Sequence, residues 1–387
     1  MLNFDLPEEI QILRNSVRDF AENEIKPVAG ELDEKEEFSA ELTKKMGELG
    51  LFGMFVPQEY GASGMNYLAL VVAVEEVARV DGSQAATVAA GNSLGIAPIY
   101  YFGNERQKKE WLPVLCTGQK LAAFGLTEPE AGSDAGATRT TAELKDGQWI
   151  INGQKIFITN SACELTGVII VQARTGTRSD GKPELSCILV PAGTPGLTAL
   201  EMKGKMMWRA SNTGQLFFED CKVPEENLLG ERGAGFRQML QTLDGGRLTI
   251  GAMAVGGAQG AYEMALEYAK QRKQFGQPIS KFQAISFKLA DMATKIEAAR
   301  WLLYRATWLK DQGKPFGKEA AMAKLFASEV FKEVVHEAVQ IFGGYGLMKE
   351  YPIERFYRDQ RLLEIGEGTS EIQRLVIARR IGCYDVD

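Results

Sequence analysis

The sequence predicts a mainly α-helical chain with a β domain set into its middle. Three observations predict it. Helical hydrophobic periodicity runs through the first third, short β-branched runs separated by turn dipeptides fill the centre, and long alanine-rich helical patterns occupy the last part. The order α, β, α lacks the strand–helix alternation of a doubly wound sheet. The texture changes divide the chain at residues 1–123, 124–234 and 235–387.

In the first segment, Asp5-Leu6-Pro7-Glu8-Glu9 predicts a helix with Asp5 as N-cap and acids in its first turn. Ile10, Ile12, Leu13, Val17 and Phe20 continue near the helical period. Residues 41–50 predict a second helix stopped by glycine, and 67–80 and 105–115 two more. The longest apolar run, residues 68–74, is too short to span a bilayer and reads as buried helix, bounded by Glu75 and Glu76.

In the second segment, Asp146-Gly147 predicts a hairpin, and Asn152-Gly153 and Asp180-Gly181 predict further turns. Residues 156–159, 168–173, 185–190 and 215–218 read as strands. In the third, helical patterns cover 236–270, 281–312 and 318–342, with a terminal helix from Ser370. Four long helices suggest an antiparallel bundle with alanine at tight contacts. Ser370 with Gln373 has the pattern of a capping box.

Composition removes several function classes. A net charge of −7 without a basic tract argues against a nucleic-acid binder. The N-terminus has no basic region followed by a long apolar core, so no signal peptide is expected. Cys116, Cys163, Cys187, Cys221 and Cys383 show no paired spacing and fit reduced thiols of a cytoplasmic protein. His336 is the only histidine, which excludes a histidine-rich metal site, and no metal is expected. It falls in a helical pattern and reads as a helix residue. Acid–base chemistry therefore falls mainly to carboxylates, lysine or tyrosine.

Four glycine-containing motifs remain. Gly125-Leu-Thr-Glu-Pro-Glu-Ala-Gly-Ser-Asp-Ala-Gly-Ala137 is either an ordinary turn-rich loop or one that offers hydroxyls and N–H groups to a heterocycle or pyrophosphate. Gln340-Ile-Phe-Gly-Gly-Tyr-Gly346 has more glycine than a C-cap requires. Arg272-Lys-Gln-Phe-Gly276 ends a helix with a cation, placed there for the dipole or for a phosphate. Gly366-Glu367-Gly368-Thr369 puts one carboxylate between two glycines before a helix, either solvated or presented to a substrate. By contrast, Gly230–Gly235 reads as an interdomain linker.

In combination and in this order, the motifs resemble the acyl-CoA dehydrogenase family over essentially the whole chain. Gly125 to Ala137 is similar to the family's first signature. Gln340, Gly343, Gly344, Gly346, Glu350, Arg355 and Asp359 match the second, and Glu367-Gly368-Thr369 the segment that carries the base in the short- and medium-chain branches. The resemblance implies an N-terminal helical domain, a β-barrel-like middle domain and a C-terminal four-helix bundle. It also implies a homotetramer, FAD as cofactor, an acyl-CoA substrate and electron-transferring flavoprotein as redox partner.

The same resemblance assigns residues. Phe124, Leu126, Thr127 and Ser133 fall where family members contact flavin or pantetheine, and Phe157 and Thr159 flank the isoalloxazine ring. Arg272, Phe275 and Gln283 reach the FAD of a neighbouring subunit, Gln340, Gly343 and Gly344 its pyrophosphate, and Thr369 and Glu371 further parts of the cofactor. Asp244 and Arg247 match CoA-binding positions, and Gly366 and Gly368 flank the base on the substrate side. Glu367 is then the base that takes the α-proton, while the β-hydrogen leaves as hydride to the flavin. The rival base position, two residues after Asp244, is Gly246 and cannot serve.

Some positions depart from family usage. Gly366 stands where straight-chain enzymes carry tyrosine, which favours a branched, cyclic or otherwise bulky acyl group, and a short, branched or alicyclic acyl group is expected. Met207-Trp208 replaces a glycine and a small aliphatic residue. Gly91-Asn92 lies in the stretch that lines the acyl cavity, and the absence of arginine from residues 85–94 argues against a glutaryl group. Two other functions remain open at this stage. One is an enoyl-CoA reductase working in reverse, the other a non-catalytic helical interaction protein.

Overall fold

Helix formation follows the apolar periodicity, and most helices in the first segment start at a polar cap or a proline. A computed structural model describes residues 5–384; residues 1–4 and 385–387, the outer ends of the first and third segments, lie outside the described residues. The first segment contains α1 (Glu8–Phe20), α2 (Lys26–Lys35), α3 (Ala40–Glu48), α4 (Tyr67–Ala78), α5 (Gly82–Ala90), α6 (Ala97–Phe102) and α7 (Glu105–Cys116). A π-helical turn, Ala21–Ile25, joins α1 to α2, and another, Gly91–Ile96, joins α5 to α6.

The start of α1 corrects the sequence reading. Pro7, not Asp5, is the N-cap, and it makes no side-chain cap bond. The proline excludes Leu6 from the helical region, so the helix cannot begin before it. Ile10 and Val17 are buried, but Ile12 faces solvent. Helices α2, α5 and α6 were not anticipated: their small or polar residues give little amphipathic signal, and α5 is buried on all sides.

The central strands are β1 (Leu121–Gly125), β2 (Thr141–Lys145), β3 (Gln148–Thr159), β4 (Thr166–Thr177), β5 (Pro183–Pro191), β6 (Leu197–Glu201), β7 (Thr213–Pro224) and β8 (Leu228–Leu229). They form one sheet in the order β6-β7-β3-β2-β4-β5-β8, with β1 parallel to β4. Trp149, Ile151, Ile169, Val171, Ile188, Leu216 and Phe218 form its own core. Asp146-Gly147 makes the predicted β2–β3 turn, and Asp180-Gly181 lies between β4 and β5. Asn152-Gly153 does not turn the chain. It sits inside β3, where the register with β7 shifts, because the strand continues across the bulge to pair again at Gly153 and Phe218.

The last segment begins with α8 (Gly235–Gln271) and a small hairpin, β9 (Lys273–Gln274) and β10 (Gln277–Pro278). It continues through α9 (Gln283–Asp311), α10 (Gly317–Phe342), α11 (Ile353–Leu363) and α12 (Ser370–Arg380). Three helices are therefore long and two short, rather than four long. The glycines after α10 and Gly366-Glu367-Gly368 break what would be a longer final arm. The two helical segments share one apolar core. Gly256 on α8 faces the Glu75 carbonyl of α4 so closely that a Cβ would overlap it. Across that contact Arg300 of α9 donates to Glu75 at 2.9 Å, and so does the Tyr304 hydroxyl. Both oxygens of Asp311 accept the first N–H groups of α4, from Tyr67 at 2.9 Å and Leu68 at 3.0 Å. No helix among the described residues is long and apolar enough to cross a membrane.

Candidate active site

The turn between α11 and α12 presents Glu367. Ile365 and Gly366 donate their N–H groups to the Leu362 carbonyl at 2.8 and 2.7 Å, and Ser370 N–H donates to the Glu364 carbonyl at 3.0 Å. Thr369 is the N-cap of α12, its hydroxyl accepting the Ile372 N–H at 3.2 Å. The cap therefore lies one residue before the capping box read from Ser370 and Gln373. Thr369 has the extended backbone a cap requires, whereas Ser370 is already helical and its buried hydroxyl has no partner. Gln373 instead reaches back, donating to the Gly368 carbonyl at 2.8 Å and the Glu367 carbonyl at 3.2 Å.

Glu367 has a φ of +52°. For a side chain with a Cβ this conformation costs about 1–3 kcal/mol and persists only where surroundings impose it. The residue as a whole is half-buried, yet its Oε2 is shielded from solvent and has no hydrogen-bond partner among the described residues. Burial pushes the carboxyl up to about 7, and the nearby Lys324 and Arg247 cations restrain that rise. It is not a solvated carboxylate resting on a helix dipole.

The carboxylate lies against α8. A Cβ on Gly246 would overlap Glu367 Oε2 and come within 3.3 Å of Leu94. A side chain at that position and the Glu367 carboxylate thus compete for one volume. The next residue, Arg247, is buried, ion-paired with Asp244, and leaves its Nε without a partner. Burial raises the Asp244 carboxyl, with Arg247, Arg380 and Lys310 opposing the rise.

Asp244 also borders a cleft of about 950 Å³ lined by Tyr101, Lys310, Phe316, Lys318 and Arg380 among others. Glu367 does not line this cleft; Asp244 of α8 does, and Gly246 on the same turn lies against the Glu367 carboxylate. Lys310 Nζ sits over the rings of Tyr67 at 4.4 Å and Phe316 at 4.8 Å. Burial lowers its ammonium to about 8, against the pull of Asp311 and Asp244.

A second group lies on the β domain. Phe124 and Leu126 are buried at and beyond the end of β1, Thr127 is half-buried and Ser133 exposed. The loop is tied to β3: Ile156 N–H donates to the Thr127 carbonyl at 3.0 Å, and Lys155 Nζ to the Leu126 carbonyl at 3.0 Å and Glu128 at 2.7 Å. Glu128 also accepts the N–H groups of Arg139 at 2.7 Å and Thr140 at 3.1 Å. Sequence reasoning missed Glu128 and Lys155. The one available signal was a lysine, now fully buried, inside a β run. Phe157, beside these carbonyls on β3, has a φ of +61° and is 64% exposed, and the half-buried Thr159 ends the strand.

A third group is open to the outside. Arg272 stacks over Tyr345 at 5.5 Å, next to Gly343 and Gly344, where an added Cβ would meet nothing within 4 Å. Gln283, Gln340 and Glu371 are exposed, and Phe275 is 92% exposed with a φ of +51°. The chain thus gathers Glu367 with Asp244 and Arg247, joins Phe124, Leu126 and Thr127 to Phe157, and sets Arg272 by the Gly343 turn. It leaves Ser133, Phe275 and Gln283 at the surface. Strained bare aromatics and glycines facing open space fit the planar ring and pyrophosphate of FAD.

Comparison with known proteins covers the whole molecule. The acyl-CoA dehydrogenase N-terminal, middle and C-terminal domain models match residues 7–119, 123–221 and 233–382. The chain is 53% identical over 380 residues to a probable acyl-CoA dehydrogenase, YngJ, of Bacillus subtilis, covering 98% of this chain and 100% of that protein. It is 48% identical over 374 residues to the mitochondrial short-chain specific acyl-CoA dehydrogenase of Mus musculus, covering 97% and 90%. Among solved structures, butyryl-CoA dehydrogenase of Megasphaera elsdenii superposes with a TM-score of 0.95 at 44% identity, covering 98% of this chain and 100% of that one.

Proposed function

Because the chain belongs to the acyl-CoA dehydrogenase family, FAD-dependent oxidoreductases acting on the CH–CH bond of acyl-CoA, we propose that it dehydrogenates a short, branched or alicyclic acyl-CoA with Glu367 as the base. The observation that carries the reading is the Glu367 carboxylate: buried, unpaired, raised to about 7, and turned against a glycine that leaves it room. A thioester α C–H is a weak acid. A carboxylate with a pKa near working pH is a far better acceptor than an ordinary one and is still ionised in a large fraction of molecules.

Lys324 and Arg247 favour the ionised form before reaction. The Glu367 N–H donates to no backbone carbonyl among the described residues, which leaves it for the thioester oxygen as negative charge develops there. FAD, when bound, supplies the acceptor for the β-hydride. Phe124, Leu126, Thr127, Ser133, Phe157 and Thr159 of one chain would hold its ring, with Thr369 and Glu371 nearby. Arg272, Phe275, Gln283, Gln340, Gly343 and Gly344 would reach the cofactor of a neighbouring subunit. A homotetramer belongs to this reading, supported by the exposed Phe275 before α9 and Phe287 on it.

The cleft beside Asp244 suits the nucleotide end of CoA, since Lys310, Lys314, Lys318 and Arg380 outnumber Asp244 and Glu319 along its walls. Asp244 and Arg247 then stand between nucleotide and thioester. At Gly366 a Cβ would meet Leu362 at 3.5 Å in ordinary contact, and the missing side chain leaves that position beside the base without a ring. The short-chain and butyryl-CoA relatives support a small acyl group, and the vacant position supports branching. Electron-transferring flavoprotein is the proposed electron acceptor and the cytoplasm the proposed location. Anaerobic flavin bleaching across linear, branched and alicyclic acyl-CoAs tests the substrate. A preference for branched or alicyclic thioesters that Gly366→Tyr reverses toward butyryl-CoA is expected; equal rates in both proteins would refute it.

A further inference from the structure

Two consecutive residues at the base, Glu367 and Gly368, have positive φ, +52° and +93°. Nothing in the local sequence forces a glutamate into that region. The constraint comes from two buried side chains on other elements. Lys324, in the N-terminal half of α10 and fully buried, donates Nζ to the Gly368 carbonyl at 2.8 Å. Gln373, on the first turn of α12 and also fully buried, donates Nε2 to the Gly368 carbonyl at 2.8 Å and the Glu367 carbonyl at 3.2 Å.

We propose that Lys324 and Gln373 are positioning residues for the base, gripping the two carbonyls that follow Glu367 so that its carboxylate is held against Gly246 and its N–H is left unspent. The inference rests on Glu367 being the base. Two donors converge on Gly368 O and one of them bridges to Glu367 O, which fixes the orientation of both peptide groups. The fit is tight: a Cβ on Gly368 would come within 2.8 Å of Gln373 Nε2. The pair does different electrostatic work. Lys324 faces Glu367, Glu364 and Glu371, with Arg247 as the opposing cation, and lowers the Glu367 carboxyl. Gln373 is neutral and acts through geometry alone.

The test compares Lys324→Met, Lys324→Arg, Gln373→Leu and Glu367→Gln as FAD-loaded proteins. Flavin content and thermal unfolding are measured first. Anaerobic rapid mixing with butyryl-CoA then gives the reduction rate and substrate Kd separately across pH, and amide exchange is read over residues 364–373. Misplacing a reacting group by about 1 Å costs on the order of 100-fold. Lys324→Met and Gln373→Leu should therefore slow reduction by roughly tenfold to 100-fold. Substrate Kd and flavin content should stay near wild type, with faster amide exchange across the turn. The acid limb of the rate profile should move to higher pH in Lys324→Met, remain in place in Gln373→Leu, and return in Lys324→Arg. Wild-type rates and profiles in both variants, with Glu367→Gln inactive, overturn the positioning role and leave the base intact. An active Glu367→Gln overturns the base assignment itself.

Discussion

Two carboxylates of this molecule share a raised proton affinity. Glu367 and Asp359 are both pushed up to about 7, and burial is the main cause in each. Their surroundings differ. Asp359, on α11, accepts the Trp208 N–H at 2.8 Å, lies near Asp81 and Arg355, and borders a void of only about 10 Å³. A space of that size holds at most about one water. Glu367 has an unpartnered oxygen, a left-handed backbone, and a neighbour, Asp244, that opens onto a large cleft. A raised pKa therefore does not distinguish a base from a structural acid. The unpaired oxygen and the left-handed backbone set Glu367 apart.

The sharpest way to break the comparison is to neutralise each acid. Glu367→Gln should retain FAD and lose flavin reduction by about 10³-fold or more, the upper range for a general base. Asp359→Asn should leave reduction unchanged. Next in size is Gly246→Ala. Its methyl takes the volume of Glu367 Oε2, so the carboxylate must swing aside and reduction should fall roughly tenfold to 100-fold with substrate Kd nearly constant. Unaltered rates there would mean that the carboxylate does not rest on α8 during reaction.

In stability the two acids behave alike. Each has a folded pKa above its ordinary value, so the folded state holds protons more tightly than the unfolded chain. Their contribution is fully present below the ordinary carboxylate range and is lost as pH rises from about 4 toward 7. Asp359→Asn should remove its share, raising Tm at pH 8 by about 2–4 °C, a gap that closes as pH falls to about 4. A gap independent of pH would assign the effect to the Trp208 contact instead. The smallest expected effect concerns the cleft. Lys310→Met or Arg380→Met should weaken acyl-CoA binding about threefold to tenfold, lessen its salt dependence and spare the reduction rate.

The sequence made some of this legible and not the rest. Long helices such as α8 and α10 announce themselves because their apolar period repeats over many turns. Glu367 could be singled out because flanking glycines, a lone histidine and motif order converge on it. What holds it could not. Lys324 lies 43 positions upstream of Glu367 and reads as an ordinary helical lysine. Gln373 reads as half of a capping box, yet its amide serves Glu367 and Gly368. Glu128 and Lys155 likewise meet only when the loop after β1 folds onto β3. Local pattern reports the element a residue belongs to; partners far along the chain appear only in three dimensions. The Asn152-Gly153 bulge shows the converse, a turn signal overridden by strand pairing on both sides.

The most direct measurement is anaerobic bleaching of Glu367→Gln and Asp359→Asn by butyryl-CoA, side by side with wild type. The account predicts a yellow Glu367→Gln protein that stays yellow and an Asp359→Asn protein that bleaches as wild type does. Bleaching of Glu367→Gln at a near wild-type rate would contradict it.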